Sequence, residues 1–296
     1  MSSPIGILMI LSPAKTIDTS SCQNRLKDKW TVPNCDEGKT KAIAEAMKLH
    51  SSKELEKLLG ISSNLAKTSH EFWSKFDLGM TEQSDRKPCI FSFSGPAYIG
   101  LKIDNCTDDA VTYMQENLRI LDPVYGVLRP LDLMQPYRLE MTTKLSLTNE
   151  GIIPLAKSWR NSISKYLSKD LSIRKTKLLL NLASDEYSAI VDLEELPIDT
   201  QYKKVVFLEA GRVVSVHSKR ARGLMVRYIA SHACTTLDDI TNFREEGYKY
   251  LESKSDDKSI VFGREKQTPA PRSRLQKTQI SPVDSDQATL KRKRGK

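Results

Sequence analysis

The chain has 296 residues, with 46 Lys and Arg against 37 Asp and Glu, a net charge of +9. At 39% hydrophobic and 28% charged residues it has the apolar content of a folded domain, which excludes a chain disordered throughout. Its longest apolar run, Ile5-Gly6-Ile7-Leu8-Met9-Ile10-Leu11, falls far short of the roughly 20 residues of a membrane helix, and no Lys or Arg precedes it as in a signal peptide.

That run predicts a buried first strand over 7–11, followed by an irregular polar stretch to about Pro33. Residues 39–49 carry Ala42, Ile43, Ala46, Met47 and Leu49 at helical spacing. Ser51-Ser52-Lys53-Glu54 reads as a capping box that opens a short helix stopping at Gly60. Residues 65–76 predict a third helix with Phe72, Trp73 and Phe76 on its apolar face. A second strand is predicted over 89–93, running into Ser94-Gly95-Pro96, and Thr107 caps a helix to about Leu118. Pro123, Pro130 and Pro136 forbid one long helix over 118–141. The expected form there is a helix ending near Leu121, a tight turn with Gly126, then a short helical stretch. Pro154 opens a long helix, and 178–182 form a third strand. Residues 205–208 and 213–216 read as a hairpin, Ser218 starts a helix to about His232, Thr236 caps the next, and 259–262 form a last strand.

These elements predict one mixed α/β domain over 1–262, built on a central sheet, and a disordered basic tail over 263–296. The tail holds ten basic and three acidic residues, or +7, which leaves only +2 for the body. Five dispersed cysteines without C-x-x-C spacing point to reduced thiols, and the four histidines form no zinc pattern. No metal site and no cofactor are expected; neither a P-loop nor a dinucleotide fingerprint is present.

The predicted strands deliver polar residues past their ends: Ser12, Lys15 and Thr16; Ser94-Gly95; Ser184-Asp185-Glu186-Tyr187; His217-Ser218-Lys219. In open α/β sheets ligands bind at the carboxyl ends of strands, so these four loops either line one cleft or are unrelated surface turns. Residues 210–237 contain no acid, yet hold Arg212, Lys219, Arg220, Arg222 and Arg227. Lys219, Arg220 and Arg222 fall in the first turn of the predicted helix, where the helix dipole is already positive and a bound anion would relieve the repulsion. The alternative is a solvated basic face paired with Asp238, Asp239, Glu245 and Glu246. Arg119, Arg129 and Arg138 are available as phosphate or carboxylate clamps, or else tie down an irregular loop through Asp132 and Glu140.

Four segments carry a resemblance over about residues 5–262. They are Leu11-Ser12-Pro13-Ala14-Lys15-Thr16, the block from Tyr125-Gly126-Val127-Leu128-Arg129-Pro130 through Gln135-Pro136-Tyr137-Arg138-Leu139-Glu140-Met141, Asn181-Leu182-Ala183-Ser184-Asp185-Glu186-Tyr187, and Lys219-Arg220-Ala221-Arg222-Gly223-Leu224-Met225. In that order they resemble the YaaA family of peroxide-stress proteins. The resemblance implies an α/β fold with a positively charged cleft and a helix-hairpin-helix element, binding to duplex and distorted DNA, and protection against peroxide damage linked to lower free iron. By position it places the hairpin at 118–128, with Gly126 at the turn. Ser94-Gly95-Pro96 departs from the family's Lys-Gly-Asp, which removes one cation and one carboxylate, and Pro123 stands where the hairpin often has glycine.

Two functions follow. In the first, a peroxide-stress protein holds duplex, bulged or damaged DNA through Lys15, Arg119, Gly126, Arg129, Arg138, Ser184, Lys219, Arg220 and Arg222. In the second, Lys15, Asp185, Glu186 and Lys219 form an acid–base and anion-holding site for a small anionic or nucleotide-like substrate. A closed pocket too narrow for a duplex favours the second, and an open groove counts against it. Lys291-Arg292-Lys293-Arg294 reads as a nuclear localisation signal for import machinery in a eukaryote, as a phosphate tether, or as a solubilising end to a cytoplasmic protein.

Overall fold

The computed structural model describes residues 6–22, 24–77, 86–147 and 151–266. Ile7–Leu11 (β1) has no polar residue, and all five side chains are at most 1% exposed, as a strand covered on both faces requires. It lies at the middle of a seven-stranded sheet. The other strands are Leu118–Asp122 (β2), Gly126–Leu128 (β3), Leu178–Asn181 (β4), Gln201–Glu209 (β5), Lys249–Tyr250 (β6) and Ser259–Arg264 (β7), in the order β6-β7-β5-β4-β1-β2-β3. The five inner strands are parallel, and β3 and β6 pair antiparallel at the two edges. The mixed α/β class is that read from the sequence.

Helices α1 (Glu37–Lys48), α2 (Ser52–Leu59) and α3 (Ser63–Lys75) follow β1. The capping box forms: Ser51 N–H donates to Glu54 at 2.8 Å and Glu54 N–H to Ser51 Oγ at 3.4 Å, and Gly60 ends α2 in the left-handed region at φ 60°. Cys89–Ser92 (α4) and Pro96–Leu101 (α5) are short, and Thr107 caps Asp108–Asn117 (α6) through Ala110 N–H. Leu155–Arg174 (α7) begins after Pro154, followed by Asp185–Ser188 (α8), Ser215–Ser231 (α9) and Leu237–Thr241 (α10). Helices α6 and α9 pack on each other, against β1 and β5 respectively.

Four expectations change. Residues 118–128 are not a helix end and helical hairpin but the β2–β3 hairpin. Leu118–Asp122 is wholly buried and takes its backbone partners from β1, while Asp122 accepts the N–H groups of Val124 and Tyr125 at 2.9 Å each to close the turn. A full set of sheet partners outweighs local helical periodicity. The 89–93 stretch is mostly α4, and only Phe93–Ser94 is extended, paired with Thr16–Ile17. The second arm of the expected 205–216 hairpin shrinks to a bridge between Glu209 and Arg212, and the chain enters α9 at Ser215 instead of Ser218. The last strand runs to Arg264, two residues into the region read as tail; residues 267–296 lie outside the described residues.

Candidate functional site

Progressing outward from β1, the chain goes to β2 on one side and to β4, β5 and β7 on the other, so β1 and β4 flank the topological switch point. A crevice opens there by geometry, because the two connections leave in opposite directions. The residues just beyond both strands meet in it: Ser184 N–H donates to Ser12 Oγ at 2.9 Å, and the two hydroxyls are 3.2 Å apart. A pocket of about 250 Å³ lies at this point, lined by Ser12, Lys15, Ser94, Tyr98, Ser184, Glu186, Lys219 and Arg222 among others. The four loops nominated by their polar residues thus share one pocket.

Two helices fix its far wall. A Cβ on Gly223 of α9 would lie 1.7 Å from Ala97 O, and one on Gly100 of α5 would lie 2.1 Å from Arg220 O, so the two backbones are in direct contact. Only glycine permits that approach. The contact holds Lys219 and Arg222 over the Ser94-Gly95 loop. Tyr98 of α5 ties the wall to the other side by donating its hydroxyl to Ser12 O at 3.0 Å.

The charges divide sharply. Lys15 Nζ pairs with Glu140 at 2.7 Å, and Arg138 donates to Lys15 O at 3.1 Å, which brings both ends of the Arg138-Leu139-Glu140 motif to the pocket mouth. Burial and the neighbouring Glu140 carboxylate push Glu186 above the usual carboxylate range, against the pull of Lys15 and Lys219. Burial pulls Arg222 below the usual guanidinium range, with Asp185 opposing, and its Nε is buried without a hydrogen-bond partner. Asp185 itself turns away from the pocket to Lys204, at 2.5 Å.

Other nominated residues belong elsewhere. Arg119 is 1% exposed, bound to Asp170 at 2.7 Å and to the carbonyls of Gln115 and Leu118. Gly126 has φ 72° and faces Trp159, whose Cζ3 would be 2.6 Å from a Cβ there, so this glycine serves the turn and the packing, not a ligand. Arg129 lies 3.7 Å from Glu116, and Arg220 grips Glu246 at 2.6 Å. Arg227 likewise pairs with Glu245. For these two arginines the acidic stretch after the helix is the partner. The early start of α9 also moves Lys219, Arg220 and Arg222 out of the first turn, so the dipole argument does not apply to them.

Two features went unread in the sequence. Glu140, named from the sequence only as a tie for the loop arginines, enters the site through Lys15. Short three-residue turns, 49–51 and 60–62, join α1 to α2 and α2 to α3; their capping box and glycine stop were legible, but not a helix–turn–helix. No group of three or more His, Cys, Asp or Glu among the described residues is arranged to hold a metal ion.

A model of the family described as "peroxide stress protein YaaA" matches residues 7–254, which span β1 to the segment before β7. The chain belongs to the YaaA family. It is 34% identical over 262 residues to a UPF0246 protein of Francisella philomiragia, covering 87% of this chain and all of that protein. UPF0246 proteins of two Francisella tularensis strains align with the same identity and coverage. The matched YaaA region contains every residue of the switch-point pocket. These relatives are bacterial, so nuclear import of this chain finds no support in them. No helix among the described residues is long and apolar enough to cross a membrane.

Proposed function

We propose that this chain serves peroxide-stress defence by holding DNA through its phosphates at the rim of the β1–β4 pocket. The observation that carries this reading is the gathering of Lys15, Arg138, Lys219 and Arg222 at one end of the sheet, where Lys219 is exposed and Lys15 is 62% exposed. Rim cations meet backbone phosphates from outside, so a duplex need not enter the cavity. The exposed turn between α2 and α3 adds support: Ser62 makes no side-chain cap, and the first N–H groups of a helix lack intrahelical partners. The basic tail would act as a second, diffuse tether. Any effect on free iron is indirect in this reading.

Phosphate contacts are sequence-independent and salt-sensitive. Titrating the full chain with duplex and bulged DNA across salt concentrations tests the idea. Replacing Lys15 and Lys219 together by Ala is expected to flatten the log–log salt slope by about 2, at roughly 0.9 per phosphate released. The reading is wrong if that variant binds as before while neutralising Lys291, Arg292, Lys293 and Arg294 abolishes binding.

A second reading is an enzyme acting on a small anion in the same place. It is favoured by the cavity itself, about 250 Å³ and closed to a duplex, and by two carboxylates, Glu140 and Glu186, standing beside cations.

A further inference from the structure

Helix α9 carries three arginines in two turns' reach of each other, and two of them are satisfied: Arg220 by Glu246 and Arg227 by Glu245. Arg222 is the exception. It lines the pocket, its Nε is buried without a partner, and none of the ion pairs among the described residues includes it. A half-buried guanidinium whose Nε finds no acceptor is unfavourable, and side chains escape such positions where they can. Arg222 cannot readily escape, because Gly223 is pressed against Ala97 O and the helix cannot roll. The nearest carboxylate, Asp185, acts on it only at a distance and is itself held by Lys204 at 2.5 Å, so the partner for Nε is an anion from outside.

The cavity states what else that anion carries. Its volume matches roughly eight water molecules at about 30 Å³ each, so the ligand is small. Leu11, Pro96, Leu139 and Leu182 give it apolar walls, while Ser12 and Ser184 place two hydroxyls at the head of β1 and β4. Lys219 and Lys15 stand at the mouth. The site is at the switch point, where this class of sheet places its ligands.

We propose that the pocket binds a small organic oxyanion, a carboxylate or phosphate monoester on a compact apolar body, with Arg222 as its counter-ion and the Ser12–Ser184 pair as its hydrogen-bonding floor. This deepens the second reading above and rests on it for any chemistry, though not for binding. Glu186 also lines this pocket, its carboxyl held above the usual range by burial and by the neighbouring Glu140 carboxylate.

The experiment measures binding of benzoate, phenyl phosphate and inorganic phosphate to the full chain by calorimetry, alongside thermal unfolding without ligand. Benzoate or phenyl phosphate is expected to bind at least tenfold more tightly than inorganic phosphate, which lacks the apolar body. Arg222→Met should weaken that binding tenfold or more and leave the unfolding temperature of the empty protein no lower, since the buried Nε that it removes has no hydrogen-bond partner. Arg222→Lys should recover part of the affinity, and Arg220→Met should leave the affinity unchanged. The proposal is overturned if neither organic anion binds, or if Arg222→Met binds them as well as the parent chain. A bound probe that undergoes no reaction leaves the binding site standing and counts only against catalysis. Loss of duplex binding with probe binding retained counts only against the DNA rim.

Discussion

The segment 118–132 and the pocket rim each hold two arginines, and they use their cations in opposite ways. In the first, Arg119 is enclosed with Asp170, Arg129 lies against Glu116, and Asp122 closes the β2–β3 turn. In the second, Lys219 and Arg222 enter no ion pair among the described residues, and Lys15 shares its one carboxylate with a solvent-facing mouth. Arginine density in a sequence therefore says little about ligand binding; what separates a structural cation from a site cation is whether the fold supplies its counter-ion.

The contrast can be broken from the structural side first. Arg119→Ala leaves Asp170 with Arg174 alone, strips the carbonyls of Gln115 and Leu118 of their donor and empties the space of a fully buried side chain, and should cost about 3–5 kcal/mol in denaturant unfolding, with DNA affinity of the remaining folded protein unchanged. A loss of DNA binding out of proportion to the unfolded fraction would mean that Arg119 serves the site after all.

A smaller effect is expected at Asp122. Burial raises its carboxyl to about 6, against the pull of Tyr137 and the two turn N–H groups. A raised carboxyl favours the protonated fold, so its contribution is full below about pH 4 and is lost as pH rises through 6, by at most about 3 kcal/mol. Asn keeps an oxygen for both N–H groups without titrating. The stability difference between Asp122→Asn and the parent should thus grow in favour of the variant from pH 4 to pH 7, measured by urea unfolding at each. A pH-independent difference would show that Asp122 is already ionised at pH 4.

The smallest effect belongs to Lys219. Exposed and unpaired, it should change stability by less than about 0.5 kcal/mol when replaced by Ala, even as the DNA salt slope falls. A larger loss of stability would move Lys219 into the structural class with Arg119.

Much of the architecture was legible in the sequence because burial and capping are local signals. Ile7–Leu11 could be nothing but an interior strand, and Ser51, Thr107 and Thr236 announced their helices. The 118–128 hairpin was not legible, since Leu118 and Arg119 become strand only by pairing with Met9 and Ile10, more than a hundred residues earlier. The same distance explains the site. Ser12 and Ser184 are polar residues after apolar runs, but their contact depends on β4 crossing to lie beside β1. Likewise, nothing in Lys219-Arg220-Ala221-Arg222 distinguishes the arginine that meets Glu246 from the one whose Nε is left without a partner; helix rotation decides it.

The glycine contacts between α5 and α9 bear on how the pocket moves. With backbone against backbone at Gly100 and Gly223, there is no side chain between the helices to change rotamer and let one slide over the other. The two act as a single plate that carries Lys219, Arg222 and the Ser94-Gly95 edge together. Entry and exit of a ligand then fall to the opposite lip, Pro13-Ala14-Lys15, which lies between Ser12, held by Tyr98 and Ser184, and Thr16, paired with Ser94, and whose lysine is fastened by one carboxylate and one arginine contact. In hydrogen exchange the plate should open as one unit, late and all at once, while the lip opens early and alone.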